Sequence, residues 1–395
     1  MRPSNIRHEN IRQIIELCRA VAEPLSRAEI SRRLSLSAPS VSAIVSILLD
    51  KGILHEAETG PSSRLGGRKP ILLELTQDCA YVMGIHIDSR TISLVVSDVS
   101  AERMLTHRTT YDRRQVDCLS FLKEFIHRVM NDHGIAPQAL LAMGIAVPGV
   151  FDPKDQVIKL APNIKQWEDI PLVAELAAEF QCDVFVENVV NTAVVGERWK
   201  GHIRGHSNAM YIKIDQGIRA GILIDGRLYK GATHMEGEMG FVVTDWEGVA
   251  REKADYGALE SVCSTLAIAE RVQRKLQRTM DFPEIVDQAL AGQSELRNIL
   301  LETAFHIGLT IANIVTVLNP EIIVIGGEYS QAAPIVGDSI RKIMQRVVPH
   351  MPEFVFSDLG ESVFCMGAII MALDGIEDKL VSRIVLSKDP LLANA

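Results

Sequence analysis

The sequence predicts an α/β protein in which a small helical head with a β-hairpin precedes two α/β lobes. Three observations predict it. The first seventy residues carry eleven Lys and Arg against seven Asp and Glu, whereas the whole chain has a formal net charge of −9. A basic head on an acidic body suggests a nucleic-acid-facing module joined to something else. Within the head, short helical stripes precede two strand-like runs. From Tyr81 onward, apolar runs and amphipathic stripes alternate in two successive sets.

Composition sets the outer bounds. The chain has 395 residues, 47% hydrophobic and 23% charged, which excludes wholesale disorder and suggests two or three domains at roughly 100–200 residues each. Gly and Pro are scattered without a period, so collagen-like and low-complexity readings fail. The longest uninterrupted apolar run, Val363 to Leu373, is shorter than the ~20 residues of a spanning helix, so no membrane insertion is expected. The polar start MRPSNIRHENIR has no secretory pattern. Cys18, Cys79, Cys118, Cys182, Cys263 and Cys365 form no CxxC pair. Together these features imply a cytoplasmic protein with reduced thiols and no Cys-rich zinc site.

The head elements follow in order. Ile11, Ile14, Ile15, Cys18 and Val21 make one helical stripe, ended by Pro24. Ser26, with Glu29 three residues later, is a capping box for a helix over Arg27–Leu34. Ser37 caps a third helix with Pro39 in its first turn, burying Val41, Ile44, Val45 and Leu48 and ending at Lys51–Gly52. Helix, tight turn, helix is the helix-turn-helix arrangement, whose second helix enters the major groove. Ser37, Ala38, Pro39, Ser40 and Ser42 lie at its start and are small enough for close approach to phosphate and base edges. Ile53–Glu56 and Ile71–Leu75 pair around a Gly- and Ser-rich tip holding Arg64, Arg68 and Lys69, a basic wing suited to phosphate. A three-helix protein-interaction module is the alternative; the agreement of cap, small-residue helix and basic wing favours DNA.

In the body, Tyr81 to Asp98 predicts two strands, followed by a helix over Cys118–His133 and a strand over Leu140–Pro148. A strand over Cys182–Glu187 opens into a helix over Val190–Trp199. The second set comprises strands at Met210–Ile214 and Gly221–Ile224, helices at Leu259–Leu276 and Leu296–Leu318, a strand at Ile322–Ile325 and a helix at Ile335–Gln345. No short-period repeat is visible.

The segments AVPGVFDPKDQVIKLAPNIKQWEDIPL, VENVVNTAVVGERWKG, GILIDGRLYKGATHMEGEMG, GALES and NPEIIVIGG, in that order, make the body resemble the ROK family (repressors, open reading frames, kinases). The head, with SRAEISRRLSLSAPSVSAIVSILLDKGIL and GGRKP, resembles the winged helix of ROK repressors. The resemblance spans essentially the full length. It implies an N-terminal winged helix-turn-helix over residues 1–76. It also implies a two-lobed actin-like ATPase (ribonuclease H-like) body, with lobes at 80–195, joined by a C-terminal helix at 376–395, and at 196–375.

Three kinase elements of the family are altered. The E-N-D-x-N segment, whose Asp is the general base, reads Glu187-Asn188-Val189-Val190-Asn191, and Val189 cannot accept a proton. The aspartate of the first phosphate loop is replaced by His86. The glycine-rich second loop reads Asp215-Gln216-Gly217-Ile218-Arg219-Ala220-Gly221, adding a carboxylate and a bulky cation where phosphate needs close backbone N–H groups. No catalytic residue and no cofactor are therefore expected. At the family's structural zinc positions stand Phe241, Arg251, Lys253 and Ala258, none of them a zinc donor, so no metal is expected.

The resemblance also implies a hexose site, which here maps to Asn163, Asn188, Val189, Glu238, Phe241 and Glu260. Asn163, Asn188, Glu238 and Glu260 keep their type and are the expected ligand-binding set. The alternative is capping for the two asparagines and a solvated face for the two glutamates. The expected protein is a repressor of carbohydrate-related genes that binds double-stranded operator DNA, forms a homodimer or tetramer, and senses a sugar-like effector. An ATP-dependent sugar kinase and a regulator governed by a protein partner are the competing readings.

Overall fold

In the computed structural model the head packs three helical segments around one core. Residues 10–11 and 13–18 are helical, and Ile11, Ile14 and Ile15 bury against Ile30, Val41, Ile44, Val45 and Leu48. The structure describes residues 10–11, 13–18, 21, 23–50, 53–59, 70–76, 80–99, 101, 104–112, 117–159, 161–244 and 257–386.

Ser26 caps helix α1 (Arg27–Leu34), its Oγ accepting the Glu29 N–H at 3.2 Å. The reciprocal half of the capping box does not form. The Glu29 carboxylate accepts from Arg33 at 2.8 Å and Arg32 at 3.0 Å instead, because both cations lie one turn along on the same face. Ser35 in the left-handed region ends α1, and α2 (Ala38–Asp50) follows, with Ser37 Oγ accepting the Ser40 N–H at 3.3 Å. The two expected wing strands are present at Leu54–Thr59 and Ile71–Leu75, and Leu25–Ser26 adds a third to give a sheet in the order Leu25–Ser26, Ile71–Leu75, Leu54–Thr59. The expected cap at Gly52 and the wing residues Arg64, Arg68 and Lys69 lie outside the described residues.

The body holds two five-stranded sheets. In chain order the first uses Tyr81–Ile87, Thr91–Asp98, Met104–Thr110, Leu140–Val147 and Asp183–Asn188. The second uses Ala209–Ile214, Ile218–Ile224, Arg227–Leu228, Ile322–Gly326 and Glu353–Phe356. Each sheet sets its strands in the spatial order third, second, first, fourth, fifth. In each, the first three strands are antiparallel neighbours. The body is thus a structural duplication that no sequence repeat reveals.

By its contacts the chain divides into one unit of residues 1–145, 171–186 and 368–395 and another of 146–170 and 187–367. This differs from a boundary at 195/196. The chain leaves the first unit after Ile145 and returns before crossing again at Glu187, and helix Ser362–Leu386 changes unit at Ala368 rather than at residue 376.

Several elements were not expected. In Met104–Thr110 half-buried Leu105, His107 and Thr109 alternate with exposed Thr106, Arg108 and Thr110, an edge strand without an apolar run. Val150–Asp152 pairs with Val157–Lys159 in a short hairpin. The helix expected over Leu259–Leu276 is broken: Glu260–Cys263 ends at Ser264, whose Oγ accepts the Ala267 N–H at 3.1 Å and starts Thr265–Leu276. The helix Ser294–Leu318, 25 residues with mean hydropathy 1.5 over its most apolar window, is long and apolar enough to span a membrane by composition. It instead buries Leu296, Ile299, Leu300, Ala304, Ile307 and Ile311 in the core of the second unit.

The helix Val189–Lys200 is held by backbone contact with the C-terminal helix. A Cβ on Gly196 would lie 2.4 Å from the Val363 carbonyl oxygen, and one on Gly367 only 1.7 Å from that of Thr192. Neither neighbour is a flexible side-chain tip, so the helices would have to part. Gly367→Ala should therefore lower the unfolding free energy by at least about 2 kcal/mol. Chemical denaturation measures this, and an unchanged midpoint would refute the packing described.

Candidate functional site

The start of α2 is the exposed end of the helix-turn-helix. Ser37, Ala38, Pro39, Ser42 and Ala43 are exposed and Ser40 is half-buried. The Ser37 and Ser40 hydroxyls bond each other at 2.7 Å, and the Ser46 hydroxyl donates to the Ser42 carbonyl at 2.9 Å. Opposite them Val41, Ile44, Val45 and Leu48 are buried, which fixes the helix and leaves its small-residue face to solvent.

The second polar site is built wholly within the second unit. Gly149, at φ +102°, turns its carbonyl oxygen toward two donors, and a Cβ there would lie 2.7 Å from the Ala161 Cβ. One donor is Asn188 Nδ2; the other is Arg219 Nη1 at 3.1 Å. Asn188 is also the N-cap of Val189–Lys200, its Oδ1 accepting the Val190 N–H at 2.9 Å. Arg219 pairs with Glu238. Glu260 Oε2 accepts the Ile218 N–H at 2.9 Å. A Cβ on Gly240 would lie 2.7 Å from that oxygen, so the glycine lets the 3-10 turn Met239–Phe241 approach.

Burial pushes both carboxyls up from their ordinary range. For Glu238 desolvation outweighs the attraction of Arg219, and neighbouring Glu260 and Glu236 add to the rise. For Glu260 desolvation outweighs the Ile218 N–H and Arg219.

Of the four expected ligand residues, Asn188, Glu238 and Glu260 are brought onto one network through Gly149, Arg219 and Ile218. Asn188 spends its amide on capping and bridging, as the alternative reading foresaw. The two glutamates are not on a solvated face: both are half-buried and engaged. The backbone of Asn163 lies in the 3-10 segment Pro162–Trp167, and its side chain is not among those described. Val189, at the position expected for the base, is 3% exposed and packs into the core with Val190, Ala193 and Tyr211. Phe241 is 55% exposed.

Sequence reasoning missed a neighbouring cluster. Glu187 Oε1 accepts Asn188 N–H at 2.8 Å and Asn191 Nδ2 at 2.9 Å, and Glu187 Oε2 pairs with Lys230. Glu236 Oε2 accepts the Gly231 N–H at 3.1 Å, and its Oε1 lies 3.5 Å from Asn191 Nδ2. The clue was present in Glu187 and Asn191, which flank the altered base, and in Glu236 two residues before Glu238.

In the second loop, Asp215 pairs with Lys213 and accepts the Glu328 N–H beside Gly327. An N–H held by a built-in carboxylate is not open to a phosphate oxygen. For zinc, Phe241 and Ala258 supply no donor atom, and Arg251 and Lys253 lie outside the described residues. Cys263 is a buried thiol, pushed up to about 12, in a helix packed against Thr303. This residue set does not fit a tetrahedral zinc.

A helix-turn-helix head followed by a body of two like sheets defines a winged helix joined to an actin-like fold. The chain belongs to the ROK family, whose model matches residues 82–374. The xylose repressor of Bacillus spizizenii is 29% identical over 90% of this chain and 92% of its own length. The glucokinase of Thermotoga maritima is 28% identical over 73% of this chain and 95% of its own. A crystal structure of a ROK family transcriptional regulator, homologous to the E. coli Mlc protein, superposes with a TM-score of 0.80. It covers 97% of this chain and all of its own, at 22% identity, and so shares the fold of head and body together.

The raised pKa of Glu260 has a testable sign. Folding penalises its ionised form, so the stability it allows is fully present below the ordinary value of 4.5 and is lost as pH rises through the raised pKa. The melting temperature of Glu260→Gln minus that of the unmodified chain should rise from pH 4.5 toward neutrality. A difference flat across that window would contradict the burial of this carboxylate.

Proposed function

We propose that the protein is a DNA-binding transcriptional repressor of carbohydrate-related genes. Its winged-helix head docks on double-stranded operator DNA, and its body senses a sugar-like effector rather than phosphorylating one. The observation that carries this reading is the head itself. The glucokinase match accounts for nearly all of the kinase with 73% of this chain, whereas the xylose repressor match takes in 90%. The helix-turn-helix at Arg27–Asp50 lies ahead of residue 82, where the family model begins.

The body supports the same conclusion. A sugar hydroxyl must lose a proton to attack phosphate, and the base position holds buried Val189. Asp215 brings a negative charge to the phosphate loop. Glu238 and Glu260 keep carboxylates suited to hydroxyls, with Asn188 tying the helix cap to Gly149 beside them. Binding without turnover is what an effector site needs. The effector would act on the head through its differential affinity for two arrangements of the protein, with a coupling of about 1–3 kcal/mol in typical systems. We place the protein in the cytoplasm as a homodimer or tetramer, because paired heads read half-sites spaced by whole turns of ~10 bp.

Two experiments test this. Arg68→Ala should weaken binding on every duplex and lower the salt slope by about one, as a phosphate contact does, whereas Ser42 variants should shift sequence preference. An Arg68 variant with an unchanged salt slope would remove the wing from the interface. The purified chain should show no sugar-dependent ATP hydrolysis and no stoichiometric zinc; phosphorylation of any hexose, or about one zinc per chain by elemental analysis, would overturn the readings of Val189 and Phe241.

A further inference from the structure

Asn191 lies in the first turn of helix Val189–Lys200 and is 2% exposed. Its Nδ2 donates to Glu187 Oε1 at 2.9 Å and lies 3.5 Å from Glu236 Oε1. Those two carboxylates fix the amide, because turning it over would set Oδ1 against two anions. In the orientation they impose, Oδ1 is buried and has no donor. A buried acceptor without a partner is uncommon in folded proteins and calls for an explanation, such as a ligand.

The surroundings say what kind of ligand. Lys230 pairs with Glu187, and Arg219 with Glu238. Among the described residues no cation forms an ion pair with Glu236 or Glu260. The inward capacity at this place is therefore acceptor capacity: a lone amide oxygen beside carboxylates, with a residual negative charge. A phosphate or carboxylate here would meet the residual negative charge, with the nearest cations, Lys230 and Arg219, already paired to Glu187 and Glu238. An O–H or N–H group would satisfy Asn191 Oδ1 and share the carboxylates, with charge-assisted bonds.

We propose that Asn191, Glu187 and Glu236 form a subsite for a hydrogen-bond-donor group of the effector, and that it selects free or amino sugars against sugar phosphates. The proposal rests on the reading of the body as a sugar sensor and adds the class of sugar it accepts. Glu236 is the selecting residue, since its carboxylate has no cation of its own, and Asn191 is the orienting one.

The test uses the full-length chain and a panel of pentoses and hexoses, their 2-amino-2-deoxy counterparts and their terminal phosphates. Binding is read by thermal shift and then by titration calorimetry. The expected result is a free or amino sugar that binds at least tenfold more tightly than its own phosphate. An amino sugar favoured over its parent would identify an ammonium as the donor; equal binding of the two would identify hydroxyls. Glu236→Gln keeps the shape and removes the charge. It should cost an amino sugar about tenfold and a neutral sugar only a few fold, and it should narrow the discrimination against phosphates. Asn191→Leu should abolish binding; because that variant can fail to fold, the Glu236→Gln comparison stands independently. A sugar phosphate that binds as tightly as its parent sugar, or a Glu236→Gln variant with unchanged affinities, would overturn the subsite while leaving sugar sensing intact. No binding by any member of the panel would overturn sensing and the subsite together.

Discussion

The carbonyl oxygen of Gly149 is the point on which the polar site depends. Two donors from different parts of the second unit converge on it: the Asn188 amide at the mouth of a helix and the Arg219 guanidinium on a strand. Arg219 in turn holds Glu238, so one backbone oxygen aligns helix cap, strand and turn. Only glycine can supply that oxygen, since the turn needs φ +102° and a Cβ would press on Ala161. Buried polar groups are costly unless paired, and here they are paired with one another in a chain.

The same arrangement suits the proposed role of a kinase-like body as a receiver of signals. Catalysis by such a body needs a base against the attacking hydroxyl and open N–H groups against phosphate. Val189 turns the first position into core, and Asp215 sets a carboxylate at the second. Neither change removes the polar groups of Asn188, Glu238 and Glu260 on the neighbouring helix cap and turns. A sensor of the kind proposed needs the binding groups and not the proton acceptor.

Much of this was legible in the sequence. The head followed from Ser26, Ser37 and Pro39, because caps and first-turn prolines are local signals. The buried strands of both sheets followed from their apolar runs. What stayed hidden is non-local. The strand Met104–Thr110 lacks an apolar run because one side of it faces solvent at the sheet edge. The break at Ser264 is a cap inside what reads as one periodic helix. In the candidate site, motif position pointed to Asn188, Glu238 and Glu260 but not to their partners: nothing in the spacing of Arg219 and Glu238, or of Glu187 and Lys230, announces that they meet. The duplication of the two sheets is likewise a property of strand order, which unlike sequences can share.

The central claim is that this chain addresses a DNA sequence. The direct measurement is selection of duplex fragments from its own genome by the full-length protein, followed by footprinting on the enriched fragments. The account predicts two protected half-sites related by a pseudo-dyad and separated by whole helical turns, bound at least about a thousandfold more tightly than bulk DNA. Uniform, sequence-independent binding, or no protection on any fragment, would contradict it.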